Sequence, residues 1–166
     1  ASGNGTSIWA GPFTFCTLCG VLAPTITENF DAAVPGNSSN PSLPDCWGYA
    51  ETVGHQGYGY TYQWSNPYSL PHHWYMSNSS TLGDTMMLVS PQIDSMTTNH
   101  IQVSFYGYTW TTGAGVLVGT MSDPTDASTF NVVDTVLFTS GSTYDYYFQQ
   151  LGTAEAVGSM SINLDK

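Results

Sequence analysis

The chain has 166 residues, twelve acidic side chains and one basic one, for a formal net charge of −11. No basic patch can be assembled from that inventory, which excludes nucleic acid and anionic membrane surfaces as partners. Hydrophobic content of 41% and aromatic content of 14% can fill the core of one domain of ordinary size, and no apolar run reaches the ~18–20 residues of a spanning helix.

No stretch carries the period of a long amphipathic helix. Short runs of β-branched and aromatic residues alternate with Gly, Pro, Asn, Asp and Ser punctuation, which predicts strands separated by turns. In chain order these are "FTFCT" (13–17), "TITENF" (25–30), "WGYAETV" (47–53), "YGYTYQW" (58–64), "HHWYMS" (72–77) and "TMMLVSP" (85–91). They continue with "HIQVSFYGYTW" (100–110), "GVLVGTM" (115–121), "FNVVDTVLF" (130–138), "YDYYFQ" (144–149) and "GSMSINL" (158–164). Within 100–110, Ile101, Val103 and Phe105 suit a central strand with one face on a core. The segment 33–45 is a loop by composition. "MSDPTDASTF" holds a turn and at most one helical turn, with Asp126 as its cap. Roughly ten short strands predict an all-β fold, a jelly-roll β-sandwich of about ten antiparallel strands.

Three cysteines, Cys16, Cys19 and Cys46, leave one over after any single pairing. The Cys16–Cys19 spacing admits a redox pair or half a zinc site, but no second such spacing or close His pair completes a site. One structural disulfide, or a partner outside the chain, remains open.

Four segments in order, "ITENFDAAVPGNSSNPSLPDCWGYAET", "YSLPHHWYMSNSSTLGDTMMLVSPQID", "IQVSFYGYT" and "LVGTMSDPTDASTFNVVDTV", follow one pattern. The chain resembles in them the choice-of-anchor J, or MAM-like, domains of Bacteroidota surface proteins, relatives of the cleaved-adhesin domains. That resemblance runs from about residue 24 to the end and implies a jelly roll over residues 23–166. Residues 1–22, with "GTSIWAGPFTFCTLCG", are similar to the last strands of a fibronectin type III domain, or form a linker. A Cys19–Cys46 disulfide would then tie linker to domain. The final "SINLDK" matches the family's terminal acidic element only in part, keeping Asp165 and placing Lys166 where a second acid often stands.

Glu28 and Asp31 of "ENFD" together with Asp165 are candidate ligands for a structural calcium ion, if the first and last strands lie side by side; hard carboxylate oxygens suit that cation. The competing reading leaves these acids solvated beside a strand. Tyr58, Tyr60, Tyr62, Trp64 and Trp74 are candidate glycan-binding residues, within a crowd that includes Tyr68, Tyr75, His72 and His73. Aromatic faces stack on sugar CH groups, and alternation puts Tyr58, Tyr60, Tyr62 and Trp64 on one face of a strand. The competing reading packs half of them into the core. Thr85, Ser95 and Thr135 stand in the Asp-Ser/Thr-apolar pattern of Bacteroidota O-glycosylation. Asp123 and Asp126 are paired in sequence, but lie in a turn-rich segment that builds no cleft. No nucleophile elbow or similar frame organises the Ser and His residues, so no catalytic residues are assigned.

These readings converge on a non-catalytic extracellular module of a larger modular surface or secreted protein. It would act in adhesion or glycan binding and leave the cell by type IX secretion, as the resemblance implies. Its partners would be neighbouring domains of the parent chain, an extracellular polysaccharide or another surface protein. The alternative is a stalk or filament repeat without a ligand of its own, its sheet edges pairing with neighbours. A carbohydrate-binding module attached to a hydrolase would share the aromatic surface. A chain whose only Lys or Arg is its last residue also fits a fragment released by trypsin-like cleavage.

Overall fold

The computed structural model describes residues 19–23, 25–51, 57–64, 67–77, 85–94, 101–139, 141, 143–151 and the backbone of 159–165. Among these the fold is all-β, with nine strands. They are β1 (Gly48–Glu51), β2 (Tyr58–Gln63), β3 (His72–Ser77), β4 (Met86–Val89), β5 (Gln102–Gly107), β6 (Gly115–Met121), β7 (Phe130–Leu137), β8 (Asp145–Gln150) and β9 (Ser159–Asp165). No helix among the described residues is long and apolar enough to cross a membrane.

Five strands form one antiparallel sheet in the order β1-β4-β9-β6-β7. The other four make two antiparallel ribbons, β2-β3 and β5-β8. Both ribbons cover the same face of the five-stranded sheet. Val103 and Phe105 of β5 pack with Val116 and Val118 of β6 and Val136 of β7, while Trp74 of β3 meets Tyr49 of β1 edge-on at 5.5 Å. Register carries Tyr49 across the sheet through Leu88 and Ile162 to Val118, and residues opposed in this way share a face. The result is a sandwich-like pair of layers. On the sheet's other face Ala50, Met87, Val89 and Met121 gather around Ala127 and Phe130. The run Met86–Val89 is therefore buried on both faces, the pattern of an interior strand.

Two predicted elements are corrected. Residues 25–30 are not a strand, because side chains there take over the backbone. Glu28 accepts the Phe30 N–H at 2.6 Å, Asn29 accepts that of Asp31 at 3.2 Å, and Phe30 turns into the left-handed region at φ 64°. Local bonds of this kind compete with a sheet ladder. Phe30 is held there by its ring, which lies 5.7 Å from Trp47 and 6.0 Å from Trp74. The second correction is β5, which belongs to a two-stranded ribbon rather than the middle of a sheet. Its inward side chains still bury as the alternation requires, Ile101 and Val103 each at 7% exposure. The predicted strand at 13–17 lies outside the described residues.

Asp126 caps the 3-10 turn Ala127–Thr129, accepting the Ser128 N–H at 2.9 Å. Where β7 follows, the register passes from Val118↔Asp134 to Gly119↔Val132, so Val133 is an extra residue in a bulge. Bulged and partly apolar, β7 forms one edge of the sheet among the described residues and β1 the other.

Cys19 and Cys46 are joined by a disulfide, with Cα atoms 5.5 Å apart. Leu22 forms a parallel bridge with Ile93, its N–H donating to Gln92 O and its carbonyl accepting from Asp94 N, both at 2.8 Å. Residues 19–22 are thus fastened both to the loop before β1 and to the segment after β4.

A candidate aromatic binding surface

The β2-β3 ribbon sorts its side chains by alternation. Register opposes Tyr60 to Tyr75 and Tyr62 to His73, with Tyr58 beside them, on one face. On the other face Thr61 opposes Trp74, and Gly59 lies so close that an added Cβ would meet Trp74 and Tyr49 at 3.0 Å. Tyr58 and Tyr60 stack at 5.9 Å, Tyr60 and Tyr62 meet edge-on at 5.7 Å, and Tyr75 touches all three at 5.6–6.3 Å. Tyr58, Tyr60 and Tyr62 therefore stand as an aromatic row. Trp74 does not join them. It belongs to the inner face, packed on Tyr49 and Phe30.

The row continues onto the second ribbon. His73 bridges Tyr62 at 5.6 Å and Trp64 at 6.1 Å. Trp64 stacks with Tyr108 at 6.1 Å and 15°, and Trp110 closes edge-on against both at 5.2 and 5.1 Å. Tyr108 meets Tyr144 at 4.5 Å, and Tyr144 meets Tyr68, which stacks on Tyr106. One chain of ring contacts thus crosses from β2-β3 to β5-β8. Trp110 is 62% exposed and Tyr68 55%, whereas the tyrosines of the β2 row are half-buried. Sequence reasoning found the β2 half of this surface. It missed Tyr106, Tyr108, Trp110 and Tyr144, whose only signal was the aromatic density of "FYGYTW" and "YDYYF".

The surface carries no charge near neutral pH. Burial, followed by the repulsion of neighbouring phenols, raises the Tyr60 hydroxyl above its ordinary value and pushes Tyr108 up to about 12. Burial, then the neighbouring His72, lowers His73 below the usual imidazole value. His73 Nδ1 has no hydrogen-bond partner among the described residues. An apolar, neutral strip of rings offers dispersion and CH–π contact rather than ionic binding.

The other candidates are distributed elsewhere. Glu28 is engaged by the Phe30 N–H; Asp31 accepts from Asn29 Nδ2 at 2.6 Å and from the His72 N–H at 3.3 Å. The Asp165 backbone pairs with Gly115 at the end of β6, and its side chain is outside the described residues. Among the described residues no three His, Cys, Asp or Glu side chains are grouped as a metal site. Asp123 accepts from both the N–H and the hydroxyl of Thr125, which lowers its carboxyl below the usual range, and Asp126 serves as the turn cap. Both acids shape the β6-β7 connection. A cleft of about 220 Å³ follows the 40–47 loop, where Asp45 is the lone carboxylate. Thr135 is exposed on the edge strand β7, Thr85 is half-buried just before β4, and Ser95 is outside the described residues.

Comparison with protein-family models, with curated proteins and with solved structures finds no match to this chain.

Proposed function

We propose that this chain is a non-catalytic extracellular module of a larger surface or secreted protein, binding neutral polysaccharide through its aromatic surface in the service of adhesion. The single observation behind this reading is the uninterrupted run of ring contacts from Tyr58 to Trp110 across two ribbons. An extended strip suits an extended ligand, and its neutrality within a chain of charge −11 favours an uncharged one. The Cys19–Cys46 disulfide fits an oxidising, extracellular setting. A jelly-roll connectivity, export by the type IX route and a calcium ion on Glu28, Asp31 and Asp165 belong to the same reading through the MAM-like resemblance. Titration of neutral polysaccharides against tryptophan fluorescence tests it: saturable quenching supports the module, and a blank across a broad glycan array overturns it. For the calcium ion, a melting temperature unmoved by a chelator removes it.

A stalk or filament repeat is the second reading. It is favoured by β7, which among the described residues pairs only with β6 and leaves Val132 49% and Leu137 67% exposed. Unpaired edges of this kind accept strands from neighbours. Concentration-dependent assembly by light scattering, with no glycan response, would select it.

A further inference from the structure

One aromatic pair differs in geometry from the rest. Tyr68, in the β2-β3 connection, and Tyr106, on β5, stack with centroids 3.6 Å apart and planes 11° from parallel. Other tyrosine pairs are wider or crossed: Tyr108–Tyr144 at 4.5 Å and 69°, Tyr106–Tyr146 at 5.1 Å and 52°, Tyr58–Tyr60 at 5.9 Å and 20°. The two phenol rings therefore lie face to face across the β2-β3 and β5-β8 ribbons. At that separation and tilt, carbons of one ring lie at about van der Waals contact with carbons of the other. Both rings are open to solvent, Tyr68 at 55% and Tyr106 at 45% exposure. Tyr68 is also held in place, its ring edge-on to Tyr144 at 5.8 Å and Pro67 beside it buried.

We propose that Tyr68 and Tyr106 are a site of oxidative cross-linking, joined as dityrosine by a haem peroxidase with hydrogen peroxide. Each phenol gives up one electron and its hydroxyl proton. The two tyrosyl radicals couple through their ortho carbons, and each ring regains its hydroxyl by moving the ortho hydrogen to oxygen. One C–C bond forms, two ortho C–H bonds break, and hydrogen peroxide takes up two electrons and two protons to become two waters. Contact before oxidation is what directs the coupling, because it replaces a diffusional encounter between radicals with an intramolecular one. The product would staple the β2-β3 ribbon to β5-β8 along the exposed layer. With a single Lys and eleven Tyr in the chain, phenol coupling is the covalent staple its composition best supplies besides the disulfide. The oxidising compartment that keeps a disulfide is one in which such an oxidant can act.

The test treats the intact folded chain with a haem peroxidase and limiting hydrogen peroxide. Expected are dityrosine fluorescence in the monomer, a mass lower by two hydrogen atoms, and a linked peptide pair bearing Tyr68 and Tyr106 after aspartate-directed proteolysis. Asp84 and Asp94 lie between the two tyrosines, so the peptides separate unless bonded. Tyr68→Phe and Tyr106→Phe should each lose the signal while keeping the ring, with circular dichroism verifying the fold, and Tyr146→Phe should retain it. Equal yield from the urea-unfolded chain, fluorescence surviving in Tyr68→Phe, or dimers as the main product would overturn the assignment.

Discussion

At the scale of single residues, Tyr60 and Trp74 separate binding from folding although their strands are paired. Tyr60 lies in the outer row, so Tyr60→Ala should weaken polysaccharide binding by roughly 1 kcal/mol, about five-fold in Kd, with little change in melting temperature. Trp74 lies on the inner face against Tyr49. Its replacement by Ala should cost on the order of 3 kcal/mol and lower Tm by roughly 5–10 °C, read by calorimetry. The reverse pattern would mean that the faces are assigned the wrong way round. His73 gives a pH dependence whose sign follows from its lowered pKa. Its neutral form is favoured in the folded state, so its contribution is complete above the unfolded value of about 6.5. Stability is lost as pH falls below that value, because the folded chain resists a proton that the unfolded chain accepts. Melts between pH 7.5 and 5 should show a smaller fall in His73→Gln than in the unsubstituted chain.

Elements supply the next constraints. Gly119 sits where β6 faces the bulge, and an added Cβ would run into the Asn131 carbonyl and the Phe130 ring. A backbone oxygen cannot rotate away, so Gly119→Ala should destabilise by roughly 1–3 kcal/mol in urea unfolding. Gly141 has nothing within 4 Å of such a Cβ, and Gly141→Ala should stay within about 0.5 kcal/mol. The Cys19–Cys46 bond spans 27 positions, and a loop of that length constrains the unfolded chain by about 3.5 kcal/mol. The double Cys→Ser variant should move the urea midpoint accordingly. An unchanged midpoint would show that the Leu22–Ile93 bridge holds this segment unaided.

Over the whole molecule, charge and surface chemistry make distinct demands. A chain at −11 with one basic side chain repels anionic polymers at long range, an effect that salt screens within a Debye length of about 10 Å at 0.1 M. The aromatic strip acts by contact. Binding of a neutral polysaccharide should therefore hold constant as ionic strength rises from about 0.05 to 0.5 M, whereas any anionic ligand should bind better with added salt. Titrations at the two salt levels distinguish these outcomes, and a steep loss of neutral-glycan affinity with salt would count against contact binding.

The strands with strong local signals were legible in the residues themselves. "YGYTYQW" alternates, "MMLV" is apolar on both faces, and Gly, Pro and Asp punctuate between them, so local pattern and tertiary burial demand the same conformation. The row of Tyr58, Tyr60 and Tyr62 followed from a period of two alone. "TITENF" carried the same strand-like pattern and turned instead, since Glu28 and Asn29 bond their own backbone and Phe30 finds its place between Trp47 and Trp74. That outcome depends on partners more than fifteen residues away. Trp74, expected among the ligand-binding rings, and its sequence neighbour Tyr75 are parted by packing against β1, which sends Trp74 inward and leaves Tyr75 outward. Composition and alternation determined the fold class, the absence of a basic surface and which side chains share a strand face. Only the tertiary structure decided which face meets the core, and that Tyr68 lies on Tyr106, because neither a side chain's partner across a layer nor its exposure is encoded in the spacing of its own strand.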